Sequence, residues 1–309
     1  MIHFEETALP VFVNYNSPKE LRAFLHERGL GMRKKLGQNF LINPAVRTRL
    51  LDALELQPKD EVWEIGPGLG AMTAGLLERG GRVTAFEIDP AFARTLRELF
   101  SAESCGPDFR LVEGDVLKTW PSVHLDVDYH GDGGGLFLLG NLPYNIAAAL
   151  LADFIEKGRF FTRMVVTVQR ELAQRMAAKP GSADYSSFSV LCSSVYKVSP
   201  LFVIKPSSFY PAPRVDSQGV RLDLEAQRKL PRFFFPLVRS LFSSRRKTIR
   251  NTLSGFADSV IIKHAYSPGP VAGEVLSLAG ICGDRRPQTL EIEEFAALAA
   301  LLEEIVSHG

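Results

Sequence analysis

Four consecutive residues, Asn141-Leu142-Pro143-Tyr144, place a carboxamide, a proline-fixed main-chain carbonyl and a phenol ring side by side. A carboxamide oxygen and a neighbouring carbonyl can accept both hydrogens of an exocyclic amine, which fixes the nitrogen and aims its lone pair. The ring beside them offers a face on which a planar base stacks, worth about 1–3 kcal/mol per base. Upstream, Glu64-Ile-Gly66-Pro-Gly68-Leu-Gly70 lets main chain approach a ligand at the free N–H groups of a helix start. Glu87 lies 21 residues after Gly66, where a carboxylate accepts from ribose hydroxyls. Asp115, in Gly114-Asp115, would accept from an adenine amino group; the plainer reading is a helix cap. Gly66-x-Gly68-x-x-Ala71 also satisfies the dinucleotide fingerprint, so at this point NAD and S-adenosylmethionine both explain the loop.

These groups need a scaffold that brings them to one edge. From residue 44 to about 170 the chain alternates helical and strand patterns. Strands are predicted at 61–65, 82–87, 109–113, 136–139 and 164–168, with helices at 44–55, 70–79, 90–101 and 145–157 between them. Such alternation implies a parallel sheet covered on both faces, with ligands at the carboxyl ends of the strands. Ser17-Pro18-Lys19-Glu20 predicts a helix start with Ser as N-cap and Glu positioned for a capping box, burying Leu21, Phe24 and Leu25. Beyond 170 a helix at 169–178, a loop at 179–186, an apolar segment to Ile204 and a strand at 220–224 follow. From about 230 the pattern is helical, broken by prolines. Residues 1–16 show no period, and 126–135 is a turn-rich acidic surface loop. The boundaries predicted are an N-terminal extension and helix at 1–32, a Rossmann-like domain at 33–225 and a helical domain at 226–309.

The chain has 309 residues, 46% hydrophobic and 23% charged, which excludes wholesale disorder. The longest apolar run, Phe295–Leu302, falls far short of a membrane span, and no export signal is read. Three isolated cysteines fit a reducing cytoplasm, and six histidines without paired spacing give no metal site. The net charge of +1 hides two acid-free basic stretches: six cations in 28–49 and eight in 228–250. Arg33, Lys34 and Lys35 in the first, and Arg245, Arg246, Lys247 and Arg250 in the second, are candidates for phosphate contacts. A monomer is expected, since no exposed apolar seam is evident.

Seven signals in order carry a resemblance: Lys35-Leu-Gly-Gln-Asn-Phe-Leu41, Glu64–Gly70, Glu87, Gly114-Asp115, Asn141–Tyr144, Gln169-Arg-Glu171 and Phe209-Tyr-Pro-Ala-Pro-Arg-Val-Asp-Ser217. Together they resemble the ribosomal RNA adenine N6-dimethyltransferases of the bacterial KsgA type, from about residue 17 to 305. The tail stretches Arg245–Asn251 and Arg285–Phe295 look like the helical domain of that family. The resemblance implies a class I S-adenosylmethionine-dependent methyltransferase fold with a small all-helical C-terminal domain. It implies N6,N6-dimethylation of two adjacent adenosines in the 3′-terminal hairpin of 16S rRNA in the small ribosomal subunit, a step of ribosome biogenesis. By motif, Asn39, Leu41, Gly66, Gly68, Glu87, Asp115 and Asn141 would hold the cofactor. Asn141, Leu142 and Pro143 would hold the amine, and Tyr144 and Phe209 would sandwich the base. Rival expectations are an NAD-dependent oxidoreductase, a large-subunit RNA methylase of the macrolide-resistance type, and a non-catalytic ribosome-assembly factor. The first gives no reason for Asn141–Tyr144, and the absence of a nucleophile–base pairing suits transfer from an already activated methyl group.

Overall fold

The computed structural model describes residues 13–31, 38–124, 135–225, 229–263 and 271–308. In chain order its helices and strands are α1 (Pro18–Glu27), β1 (Phe40–Leu41), α2 (Pro44–Asp52), β2 (Glu61–Ile65), α3 (Ala71–Glu78), β3 (Arg82–Glu87), α4 (Pro90–Leu99), α5 (Ala102–Cys105), β4 (Phe109–Glu113), α6 (Val116–Thr119), β5 (Leu136–Asn141), α7 (Ala147–Glu156) and β6 (Arg163–Gln169). There follow α8 (Arg170–Met176), α9 (Ser187–Ser193), β7 (Tyr196–Ile204), β8 (Phe209–Tyr210), β9 (Ser217–Leu224), α10 (Phe234–Phe242), α11 (Ile249–Lys263), α12 (Val271–Leu278) and α13 (Ile292–His308). Among the described residues no helix is long and apolar enough to cross a membrane.

The larger sheet runs β4-β3-β2-β5-β6-β9-β7. Strands β4, β3, β2, β5 and β6 pair in parallel, as the alternating pattern predicts. The central strands β2, β5 and β6 are near-continuous apolar runs because both faces are covered, with Val62, Trp63, Leu138 and Val165 fully buried, whereas edge strand β4 buries none of its residues fully. Strand β9, which lies beyond the alternating stretch, runs antiparallel to β6, pairing Ser217 with Gln169 and Asp223 with Arg163. No crossover helix directly precedes it, so the geometry that enforces parallel pairing is absent. At the far end of this seam Arg163 and Arg221 both bridge Glu55 and Asp223. Strand order reverses between β2 and β5, neighbours in the sheet although β3 and β4 come between them in the chain, and this is the crevice where such sheets bind ligands.

The described residues divide into two compact units, one reaching to Ala173 and including Ser199–Leu224, the other formed by Gln174–Val198 and the chain from Glu225 onward. The boundary drawn at 225 from sequence therefore leaves 174–198 on the wrong side. The apolar segment before Ile204 divides into α9, opened by a Ser186–Ser189 capping box, and β7. Val190 of α9 packs with Tyr185, Phe234, Leu237, Ile249, Leu253 and Phe295 in the core of the second unit. Tyr185 also donates to Leu290 O at 3.0 Å, which pins the preceding loop. The N-terminal helix belongs to the first unit: Leu21 and Leu25 pack on Leu69 and Phe92, with Phe24 partly buried against them. Ser17 accepts from Glu20 N as predicted, but the Glu20 carboxylate takes Asn14 instead of closing the capping box. The loop at 126–134 and residues 1–12 lie outside the described residues.

Candidate active site

Register places the carboxyl ends of β2, β3 and β5 level: Ile65 pairs with Phe86 on one side and Gly140 on the other. The chain leaves β2 through Gly66, at φ +70°, where an added Cβ would meet nothing within 4 Å. A side chain is excluded there by backbone conformation and not by crowding, so the space in front of it is free for a ligand. Gly68, at φ +60°, donates its N–H to Glu87 Oε2 at 3.1 Å, and Glu87 Oε1 accepts from Asp89 N at 2.8 Å. Glu87 thus braces the glycine loop from the end of the neighbouring strand. Burial pushes its carboxyl up to about 7, against the two main-chain hydrogen bonds.

Glu64, wholly buried one turn of chain earlier, accepts from Thr73 Oγ1 at 2.6 Å at the start of α3. Burial, opposed by Thr73 and reinforced by Glu87, holds it at about 7 as well. Both carboxyls bind a proton more tightly in the folded chain than in the unfolded one, where the ordinary value is 4.5. Their contribution to stability is therefore complete below the unfolded value and lost as pH rises through the folded one. The thermal midpoint of the ligand-free protein is expected to fall by several degrees from about pH 5.5 to about pH 8. Glu64→Gln should flatten that slope, and calorimetry across the range checks it.

On the opposite lip, Asn141 Nδ2 donates to Asn39 O at 2.7 Å. This contact fixes the carboxamide by its nitrogen and, among the described residues, leaves Oδ1 as a free acceptor. Leu142 is anchored by its buried side chain and by its N–H to Thr167 O at 3.1 Å. Among the described residues its carbonyl takes no hydrogen bond. Pro143 O accepts from Ile146 and Ala147 N–H groups, which turns the segment into α7. Tyr144, half-buried, shares a 2.6 Å hydrogen bond with Ser217 Oγ, so β9 fixes the ring that follows β5. Burial, partly offset by that contact, raises its hydroxyl above the ordinary tyrosine value.

One assignment needs revision, and Asp115 takes the plainer of its two readings. Phe209 is 3% exposed: β8 pairs antiparallel with β1, Phe209 opposite Leu41, and the ring packs into the core with Leu50 and Leu54. It has no open face for a base and supports β1 instead. Asp115 is the N-cap of α6, Oδ1 accepting from Leu117 N at 3.1 Å, so a ligand would meet only its second oxygen.

A cleft of about 880 Å³, open mouth included, is lined by Asn39, Leu41, Gly66, Gly68, Glu87, Asn141 and Pro143. Leu142, Tyr144, Asp115 and Phe209 are not among its lining residues. Further walls that went unassigned from sequence include Tyr15, Leu21, Glu64 and Ile88. Glu64 stood inside the glycine motif as a strand residue, and Tyr15 in a stretch with no period to read. Ile88, 45% exposed beside the Glu87 carboxylate, supplies an apolar wall of the kind a planar ring packs on.

The model of ribosomal RNA adenine dimethylases matches residues 29–274. The chain belongs to this family. Ribosomal RNA small subunit methyltransferase A of Treponema denticola is 42% identical over 298 residues, 96% of each chain. The protein of that name from Borreliella burgdorferi is 38% identical over 296 residues, 95% of this chain and 97% of that one. A dimethyladenosine transferase from Plasmodium falciparum superposes with a TM-score of 0.71 at 25% identity, covering 85% of this chain and 96% of that chain. In this adenine dimethylase the glycine loop, Glu87 and the Asn141 lip belong to one methyltransferase sheet.

Of the basic candidates, Arg33, Lys34 and Lys35 lie outside the described residues. In the second unit Arg245 is exposed, but its guanidinium donates to Ala183 O at 2.9 Å and Tyr185 O at 3.0 Å, tying down the 183–185 segment. Arg246 and Lys247 are exposed and form no ion pair among the described residues. The Arg250 guanidinium lies against Gly283, where a Cβ would approach to 3.0 Å, and the Arg250 main-chain N–H donates to Gly283 O at 2.9 Å. Among the described residues of the dimethylase, no group of three or more His, Cys, Asp or Glu could hold a metal ion.

Proposed function

We propose that this chain transfers methyl groups from S-adenosylmethionine to N6 of two adjacent adenosines in the 3′-terminal hairpin of 16S rRNA, acting as a monomer in the cytoplasm. The orientation of Asn141 carries the reading. Its amide nitrogen is oriented by Asn39 O, so among the described residues its oxygen stands free as an acceptor on the lip of a cleft whose other side is suited to a nucleoside.

The residues fit the donor. Gly66 leaves open space at the turn, Glu87 supplies an acceptor for ribose hydroxyls, and Asn39 and Leu41 close the cleft from β1. S-adenosylmethionine supplies a methyl group already activated by its sulfonium. The chain therefore needs no covalent nucleophile and works by holding the acceptor nitrogen in line. An adenine amine is a poor nucleophile because its lone pair is delocalised into the ring. Acceptors at Asn141 Oδ1 and Leu142 O favour rehybridisation as the new bond forms, an interaction stronger in the transition state than before it. Taking the base out of its stack costs a few kcal/mol, and stacking on Tyr144 offsets part of this.

The relatives named small-subunit methyltransferases match nearly their full length, which favours that substrate over large-subunit RNA. A purely structural assembly role leaves the Asn141 and Glu87 arrangement without a purpose. Incubation with undermodified small subunits and S-adenosylmethionine, followed by mass analysis of nucleosides, should yield N6,N6-dimethyladenosine in the small-subunit RNA. No modified adenosine there, or modification of large-subunit RNA instead, would overturn the proposal.

The exposed cations of the second unit would contact phosphates, giving affinity and not base reading. Replacing Arg246 and Lys247 together by alanine should lower the slope of log K against log salt by about 2, roughly 1 per phosphate contact. An unchanged slope in filter-binding titrations would leave the pair as a plain solvated face.

A further inference from the structure

We infer that the segment 13–30, nearly all of which precedes the region the family model matches, is the outer wall of the methyl-donor cleft, and that Tyr15 is a positioning residue for the donor. The inference rests on the donor reading of that cleft.

Neighbouring residues of this strap hold the two loops that form the cleft. Tyr15 Oη donates to Leu69 O at 2.9 Å, inside the glycine loop. Asn16 Oδ1 accepts from Arg47 Nη2, whose Nη1 donates to Leu41 O at 2.7 Å, at the β1 side. Tyr15 and Leu21 themselves face the cleft. The strap is fastened over its length: Val13, Leu21, Leu25 and Leu30 pack with Leu69 and Phe92, Arg22 Nε donates to Tyr210 Oη at 3.0 Å, and Arg28 pairs with Glu98. Residues 15 and 16 thus brace both halves of the cleft before any ligand arrives.

A ligand entering a braced site does not pay to order its loops. Loss of the Tyr15 hydroxyl frees Leu69 O and with it the loop whose residues Gly66 to Leu69 line the cleft. Burial pushes the phenol up to about 12, so it stays a donor at every working pH.

Tyr15→Phe keeps the packed ring and deletes only the hydrogen bond. In the full-length protein its Kd for S-adenosylhomocysteine, measured by calorimetry, should rise about fivefold, the size of one net hydrogen bond. Amide exchange at residues 68–71 of the ligand-free variant should quicken. The KM for S-adenosylmethionine should rise by the same factor, while kcat at saturating donor and affinity for small subunits stay within about twofold. Asn16→Ala, at an exposed position, should weaken S-adenosylhomocysteine binding from the β1 side. Equal affinity of Tyr15→Phe and wild type overturns the inference, as does an equal loss of donor and subunit affinity, which would mark the strap as structural support only. Failure of the wild type itself to bind S-adenosylhomocysteine would bring down the donor reading and the inference with it.

Discussion

Asn141→Ala is expected to lower kcat for adenosine methylation by about 10²–10³, the range seen when a preorganised polar contact to a developing charge is removed. The direction follows from what Asn141 touches. Its Nδ2 serves Asn39 O, and its Oδ1 has no partner among the described residues. Alanine removes the acceptor for the amine, so the reacting nitrogen loses both its anchor and its aim. Donor binding should weaken only slightly, through the freed Asn39 carbonyl, and kcat and kcat/KM should fall together. Asn141→Asp is no rescue: it would set a carboxylate oxygen against Asn39 O, two acceptors face to face. Single-turnover methylation of small subunits, with donor affinity measured separately, checks the split. Turnover near the wild-type rate would discard the amine-holding role.

Glu87→Ala should weaken S-adenosylhomocysteine binding at least about 100-fold, as expected for two charge-assisted hydrogen bonds at about 1.5 kcal/mol each. The carboxylate does two jobs. It offers an acceptor to the ribose, and it holds Gly68 N and Asp89 N in place. Glu87→Gln tests the second job. Both carboxylate oxygens face main-chain N–H groups, so an amide NH₂ must oppose one of them, donor against donor. Gln is therefore expected to lose most of the affinity despite its matching shape. Calorimetric titration decides it, and a loss of less than about threefold in both variants would remove Glu87 from the donor site.

Much of this site was legible in the sequence because it is built from local signals. A glycine turn after a strand, an acid at the next strand end and a carboxamide beyond the strand across the switch point each occupy positions that an α/β sheet brings to one edge. The helix start at Ser17 was equally readable, since its side chain caps its own backbone. Long-range pairing was not. Phe209 stands in a loop motif by sequence, but pairing with β1 turns it into core, and nothing local signals that partner 168 residues away. Asp115 illustrates competition: a carboxylate with two oxygens serves as cap and as ligand contact alike, and sequence cannot apportion them. Tyr15 was invisible because a strap held by single hydrogen bonds to distant carbonyls carries no periodicity.

The chain passes between its two units three times, after Ala173, after Val198 and after Leu224. A fragment ending at residue 225 would look like a self-sufficient enzyme on paper. It would in fact carry Tyr185 and Val190 without the helices that cover them, leaving a greasy stub in the middle of the polypeptide. Trimming this protein to its chemistry thus requires excising 174–198 and splicing the ends, and a simple stop codon after β9 should give material that aggregates.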